Sequence, residues 1–275
     1  MNWRPVAARL YYRTLSTLGI YMKSRYGFKW YPELDYGFIC IFRHDQHPEE
    51  QDIRFVQRFL QPGDTFIDIG AHHGLYTLIA GMKVHPSGKV ISFEPSPRER
   101  KRLARHVRLN RLQSVVQIEG YALSKDIGET EFFVARDYDS GMNSLAATEY
   151  NTRNGKRVKV SKITLDRYIT HRNISEIKLI KMDAEGAELD ILRGSTYVLE
   201  HIRPVWLIEV EEERTAPWGY SAHDIIDFMD KTGYTWYKSE EAGIRPLSPE
   251  EKALTGNYIA IPQEKTYMLA NLVQI

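Results

Sequence analysis

The chain has 275 residues, 37 Lys and Arg against 36 Asp and Glu, a formal net charge of +1, 43% hydrophobic residues and one cysteine. The balanced charge lacks the basic excess that nucleic-acid backbones select, and the single thiol, Cys40 within Phe38-Ile39-Cys40-Ile41-Phe42, excludes an intramolecular disulfide and reads as a small buried hydrophobe. One α/β core fits this length, no run reaches the ~18 apolar residues of a membrane span, and no signal-peptide core precedes a cleavage site, so a cytoplasmic location is expected.

Residues 1–32 carry Arg4, Arg9, Arg13, Lys23, Arg25 and Lys29 and no acid, while Tyr11, Leu15, Leu18 and Met22 recur at helical spacing. In the plainer reading this stripe packs on its own domain or on a second subunit, giving a homo-oligomer. In the other, the segment lies on an anionic membrane surface or binds a lipid-linked substrate. Residues 1–50 are therefore set apart as a basic amphipathic segment, and residues 51–275 are expected to form the catalytic domain.

That domain alternates as a doubly wound sheet should. A helix over 51–60 leads to strands at 65–69, 90–93 and 115–119, with helices after Gly74 and from Pro97 to about residue 108. The second of these helices holds Arg98, Arg100, Lys101, Arg102 and Arg105 against one acid, Glu99. Such a run usually makes a solvated basic face, and an anionic partner is the alternative. Residues 124–166 read as a β-rich insertion, with pieces at 131–135 and 157–163 flanking a turn-rich section. Strands at 177–182 and 205–210 follow, with a helix starting within 185–188 between them. An antiparallel pair at 234–237 and 258–261 closes the chain.

The most informative stretch is Ile67-Asp68-Ile69-Gly70-Ala71-His72-His73-Gly74, followed by Phe93-Glu94-Pro95. Glycines at 70 and 74 let the backbone turn sharply and approach a ligand, and Glu94, ending the next strand, is placed to accept a ribose diol. Dinucleotide enzymes seat pyrophosphate on Gly-x-Gly-x-x-Gly, but residue 72 is His, and Asp68 would repel a diphosphate. A cationic nucleoside is favoured instead. S-adenosylmethionine (SAM), with a sulfonium and an ammonium, meets that need.

At this point the chain resembles the FkbM-type SAM-dependent methyltransferases, over about residues 62–212. Besides the two motifs above, the resemblance is carried by Ala122-Leu123-Ser124, Thr164-Leu165-Asp166 and Lys181-Met182-Asp183-Ala184-Glu185-Gly186-Ala187-Glu188. The family usually has Asn where this chain has His72, and a small or polar residue is frequent where it has Tyr121. The resemblance implies a Rossmann-like class I methyltransferase fold, a doubly wound, mostly parallel sheet with a terminal antiparallel pair.

Open α/β sheets bind ligands beyond the carboxyl ends of their strands. Glu94 is expected on the ribose, Asp68 on the loop and the methionine ammonium, Ala122 and Leu123 beside adenine, with Gly70, Ala71, Gly74 and Pro95 shaping the turn. Methyl transfer needs alignment and removal of the acceptor proton. Asp183 is the first catalytic candidate. Lys181, two residues earlier on the same strand face, pairs with it structurally or positions the acceptor, and His72 is a candidate base because imidazole takes a proton near neutral pH. Asp183 and Glu209 end adjacent strands and are candidate ligands for one Mg²⁺, with a capped helix start as the other reading of residues 183–186. The expected activity is O-methylation of a hydroxyl on a sugar, glycan or other natural product. N-methylation of an amine-bearing lipid or small molecule, and SAM binding without turnover, are the alternatives. Acceptor selectivity is expected in the insertion and the N-terminal segment.

Overall fold

The computed structural model describes residues 11–12, 14–32, 41–42, 47–135, 143–145, 155–241, 243–248 and 254–269. Cys40, Arg4, Arg9, Arg13 and most of the turn-rich part of the insertion lie outside these residues. A short hairpin of β1 (Met22–Lys23) and β2 (Lys29–Trp30) precedes α1 (Glu50–Phe59). Apolar strands and helices then alternate as β3 (Thr65–Ile69), α2 (Leu75–Val84), β4 (Lys89–Phe93), α3 (Pro97–Leu109) and β5 (Val116–Glu119). Strands β6 (Ala122–Leu123), β7 (Gly128–Val134) and β8 (Lys156–Ile163) lead into α4 (Leu165–His171), β9 (Leu179–Met182), α5 (Glu188–Arg193) and β10 (Val205–Glu209). Helix α6 (Ala222–Asp230) and strands β11 (Tyr234–Glu240), β12 (Gly243–Pro246) and β13 (Asn257–Pro262) follow.

The main sheet has the order β12-β11-β13-β10-β9-β3-β4-β5. From β10 to β5 every pairing is parallel, and β13 enters antiparallel between β10 and β11. Strand β12 extends the expected terminal pair to three strands. It carries little pattern because it is four residues long, with Gly243 and Pro246 at its ends and Ile244 its one buried residue. Strand alternation sorts the core onto two faces. Phe66, Val90, Leu179 and Leu207 pack with α1, α2 and α3, and Ile67, Ile91, Ile180 and Trp206 pack with α4, α5 and α6. The insertion forms its own three-stranded sheet, β7 antiparallel to β8 and β6 parallel to it.

Two expectations about basic segments change. Tyr11, Leu18 and Met22 are exposed, so that stripe does not fasten the N-terminal segment to the domain. Phe28 and Trp30, both buried, do. At the end of α3 the Asn110 side chain accepts from the Lys29 N–H and donates to the Lys29 carbonyl, each at 2.7 Å. Helix α3, in turn, is only partly a solvated basic face. Lys101 and Arg108 are exposed, but Arg98 pairs with buried Glu99 at 2.6 Å, Arg100 donates to the carbonyls of Glu94 and Pro95, and Arg105 donates to that of Ser16. At Glu94 and Pro95 the forked guanidinium satisfies loop carbonyls between β4 and α3. Among the described residues no helix is long and apolar enough to cross a membrane.

Candidate active site

The turn after β3 requires glycine at 70. Its φ is +78°, and a Cβ would fall 1.8 Å from the carbonyl oxygen of Asp183, just beyond β9. The N–H groups of Gly70 and Ala71 both donate to the Phe93 carbonyl at 3.0 Å, tying the turn to β4. Gly74 serves packing, since a Cβ there would meet Leu103 of α3 at 2.4 Å. His72 sits at φ +48°, the left-handed region that Asn tolerates better than most residues, which gives a backbone reason for the family's usual Asn.

Glu94 is 4% exposed, and its two carboxylate oxygens accept from the His72 N–H at 2.7 Å and the Ser96 N–H at 2.8 Å. Each oxygen retains accepting capacity, which matches a vicinal diol. Burial pushes the Glu94 carboxyl up to about 7. Beside it opens a cleft of about 800 Å³, counted to its solvent mouth. The candidate cofactor residues Gly70, Pro95, Ala122 and Leu123 line it, together with Tyr121. Phe132, Asn143 and Leu145 complete the wall, so the insertion faces this cleft. The cradle at Gly70, the apolar walls and the diol-accepting carboxylate fit SAM.

A second cavity, of about 820 Å³, shares Gly70, His72 and Asp183 with the first. Asp68 and Ala71, expected on the cofactor, line this one. Strand alternation is the cause. Asp68 follows Phe66 onto the face of α1 and α2, while Ile69 turns to the cleft. The Thr77 hydroxyl donates to Asp68 at 2.5 Å, and burial lifts the Asp68 carboxyl to about 6. Gly74 lines neither cavity.

Lys181 is 1% exposed; its Nζ donates to Asn257 Oδ1 at 2.9 Å and faces Asp183 Oδ2 at 3.5 Å. The Asn257 amide donates onward to Asp52 at 3.0 Å. Burial acts to lower the Lys181 pKa, but Asp183 first, then Glu49, Glu209 and Asp52, hold it above the ordinary lysine range. The same ammonium, with a hydrogen bond from Glu209, keeps Asp183 below the usual carboxylate range despite burial. Burial and the Asp183 charge push the Glu209 carboxyl upward. The Asp183 side chain, 34% exposed, opens to both cavities.

Lys181 Nζ lies 3.5 Å from Asp183 Oδ2, so a cation at this carboxylate would meet a buried ammonium, and no step is routed through Mg²⁺. The ligating atoms of His72, His73 and Glu99 also come within 4.8 Å of one another. Two guanidinium groups sit there, Arg98 at 2.6 Å from Glu99 and Arg102 at 3.1 Å from His73, and they repel a metal cation. Thr164-Leu165-Asp166 reaches neither cavity: the Thr164 hydroxyl caps α4, and Asp166 accepts from the N–H groups of Tyr197 and Val198.

Sequence reasoning missed Glu49, Tyr76, Asn257 and Asp52. They come from separate elements and share no spacing. The one available signal was Asn257, a polar residue opening an otherwise apolar strand.

The strand order, with β13 inserted antiparallel and a cleft at the carboxyl ends of the parallel strands, defines a class I methyltransferase fold. The profile of the Methyltransferase FkbM domain matches residues 68–235, and the chain belongs to that family. It is 27% identical over 164 residues to the 31-O-demethyl-FK506 methyltransferase FkbM of Streptomyces tacrolimicus, covering 49% of this chain and 60% of that one. It is 25% identical over 166 residues to the hexuronic acid methyltransferase AglP of Haloferax volcanii, covering 60% and 64%. The chain thus spans less than two thirds of the length of either relative. Among solved structures, methyltransferase FkbM from Methylobacillus flagellatus KT aligns with a TM-score of 0.46 at 14% identity, over 77% of this chain and 51% of that one.

Proposed function

We propose that the protein transfers the methyl group of SAM to a hydroxyl of a small molecule or glycan. The observation that carries this reading is the meeting of two cavities at Gly70, His72 and Asp183, one suited to a nucleoside and the other free for an acceptor. Family membership supports methyl transfer, and the names of the two relatives, one an O-demethyl substrate and one a hexuronic acid, favour oxygen on a natural product or sugar. When bound, SAM supplies an electrophilic methyl group on a sulfonium. Glu94 holds the ribose, the glycine turn admits the ligand close to the backbone, and Asp183, fixed by Lys181, presents its charge where the acceptor must align.

Titration calorimetry with S-adenosylhomocysteine (SAH) tests the cofactor half. Binding is expected for SAH and none for NAD. Glu94→Ala should weaken SAH binding by about 1.5–3 kcal/mol, the scale of a lost hydrogen bond to a charged group. Tight NAD binding, or no SAH binding by the folded protein, defeats the reading.

Binding should also depend on pH. The Glu94 carboxyl stands at about 7 without ligand, and ribose hydroxyls donate to its ionised form, lowering that value. SAH binding should therefore release protons near pH 6–7 and tighten as pH rises through 7. Calorimetry in two buffers of different ionisation enthalpy reads the release directly. Glu94→Gln should abolish it; proton release that survives the substitution assigns the effect to another group.

A further inference from the structure

Three side chains in the second cavity take no part in holding the cofactor. Glu49, half buried at the N-terminus of α1, accepts from the Tyr76 hydroxyl at 2.6 Å through Oε2. His47 Nδ1 accepts from the Glu49 N–H at 3.1 Å, and burial lowers the His47 pKa, so the ring is neutral and its other nitrogen is a donor. Trp30 is 2% exposed and lines the cavity, and its buried indole N–H has no partner among the described residues.

Resting on the methyl-transfer reading above, we propose that the second cavity is the acceptor site, that it takes an uncharged polyhydroxylated ring, and that Glu49 receives the proton of the hydroxyl that is methylated. Of the carboxylates there, Asp183 faces the Lys181 ammonium at 3.5 Å and Asp68 is 2% exposed and bound by the Thr77 hydroxyl, whereas Glu49 is half buried and accepts from the neutral Tyr76 hydroxyl. His47 lines the same space as the acceptors Glu49 and Asp183, which suits hydroxyls because each both donates and accepts. Charge narrows the class further. The one ammonium in the described wall, Lys181, is already bound by Asn257 and Asp183, so a carboxylate or phosphate would meet like charge from Glu49. An amine would be held protonated by the same carboxylates and lack the lone pair that attacks. In the step itself the hydroxyl oxygen bonds to the methyl carbon as the carbon–sulfur bond breaks with its electron pair going to sulfur. The hydroxyl proton passes to Glu49 and then to solvent, leaving a methyl ether and SAH.

Tritium transfer from methyl-labelled SAM to three probes tests this: methyl glucopyranoside, the corresponding methyl glucuronide and the corresponding 2-amino-2-deoxy glycoside. Saturation-transfer NMR of each probe on the SAH-loaded protein runs alongside. The neutral glucoside should bind and be methylated, with the charged probes slower by about tenfold or more. Glu49→Gln should lower kcat for the glucoside by about 100-fold or more, with SAH affinity and Tm unchanged. Tyr76→Phe, which removes the hydroxyl that holds Glu49, should raise KM more than it lowers kcat. Preference for the glucuronide or the amine, or a glucoside neither bound nor methylated by protein that binds SAH, overturns the acceptor assignment and leaves the cofactor reading standing. Glu49→Gln within about threefold of the parent kcat removes Glu49 from proton transfer. Failure of the parent to bind SAH at all would instead defeat the reading on which the inference rests.

Discussion

Asp183→Asn should lower methyl transfer by roughly 100-fold or more, the usual scale for losing a positioned electrostatic group, while SAH affinity changes far less. The substitution keeps nearly the same shape and removes the one carboxylate charge that opens to both cavities. It also deprives Lys181 of its nearest counter-charge, so the alignment of the acceptor suffers twice. Comparison of kcat with calorimetric SAH affinity separates transition-state loss from loss of cofactor binding. Chelator should leave the parent rate unchanged. A rate lost to chelator and restored by Mg²⁺ would return Asp183 and Glu209 to the role of metal ligands. Near-parental turnover of Asp183→Asn would place the reacting centre elsewhere, with His72 the next residue to substitute.

Lys181→Ala should destabilise the fold by about 1–3 kcal/mol, because it leaves buried Asn257 without its donor and the partly exposed Asp183 without its counter-charge. Lys181→Met, which preserves most of the packing above the Tyr76 ring, should recover only a minor part of this loss. The pH dependence distinguishes charge from packing. Without the ammonium, burial raises the Asp183 carboxyl above its unfolded value, so the folded variant binds the extra proton. Its stability then falls as pH rises from the ordinary carboxylate range through that raised value. Urea denaturation should show a smaller deficit at pH 5 than at pH 8. A deficit for Lys181→Met that stays below about 1 kcal/mol at pH 8 would show that the pair contributes little to the fold.

The parallel core was legible because its signals are local. Apolar runs ending in Gly70, Glu94 and Asp183 mark strands and turns through periodicity and the steric freedom of glycine, and β3, β4, β9 and β10 lie where those patterns place them. Leu123 beside the nucleoside cleft and the Lys181–Asp183 pair also follow from strand-end position and alternation. The late strands were legible as strands, yet their order was not, since pairing of β13 between β10 and β11 depends on contacts distant in the chain.

Tertiary structure decided what each charged side chain meets. Arginines on α3 read as a basic face, and several became clamps on loop carbonyls once β4 and the N-terminal hairpin packed beside them. Asp68 read as a cofactor residue, but one step of strand alternation turned it into the other cavity. Asp183 and Glu209 read as metal ligands, and the fold set the buried Lys181 ammonium 3.5 Å from Asp183. Glu49, Tyr76 and Asn257 carry no motif, because a hydrogen bond or a shared cavity depends on distance in space, whereas composition and spacing record only distance along the chain.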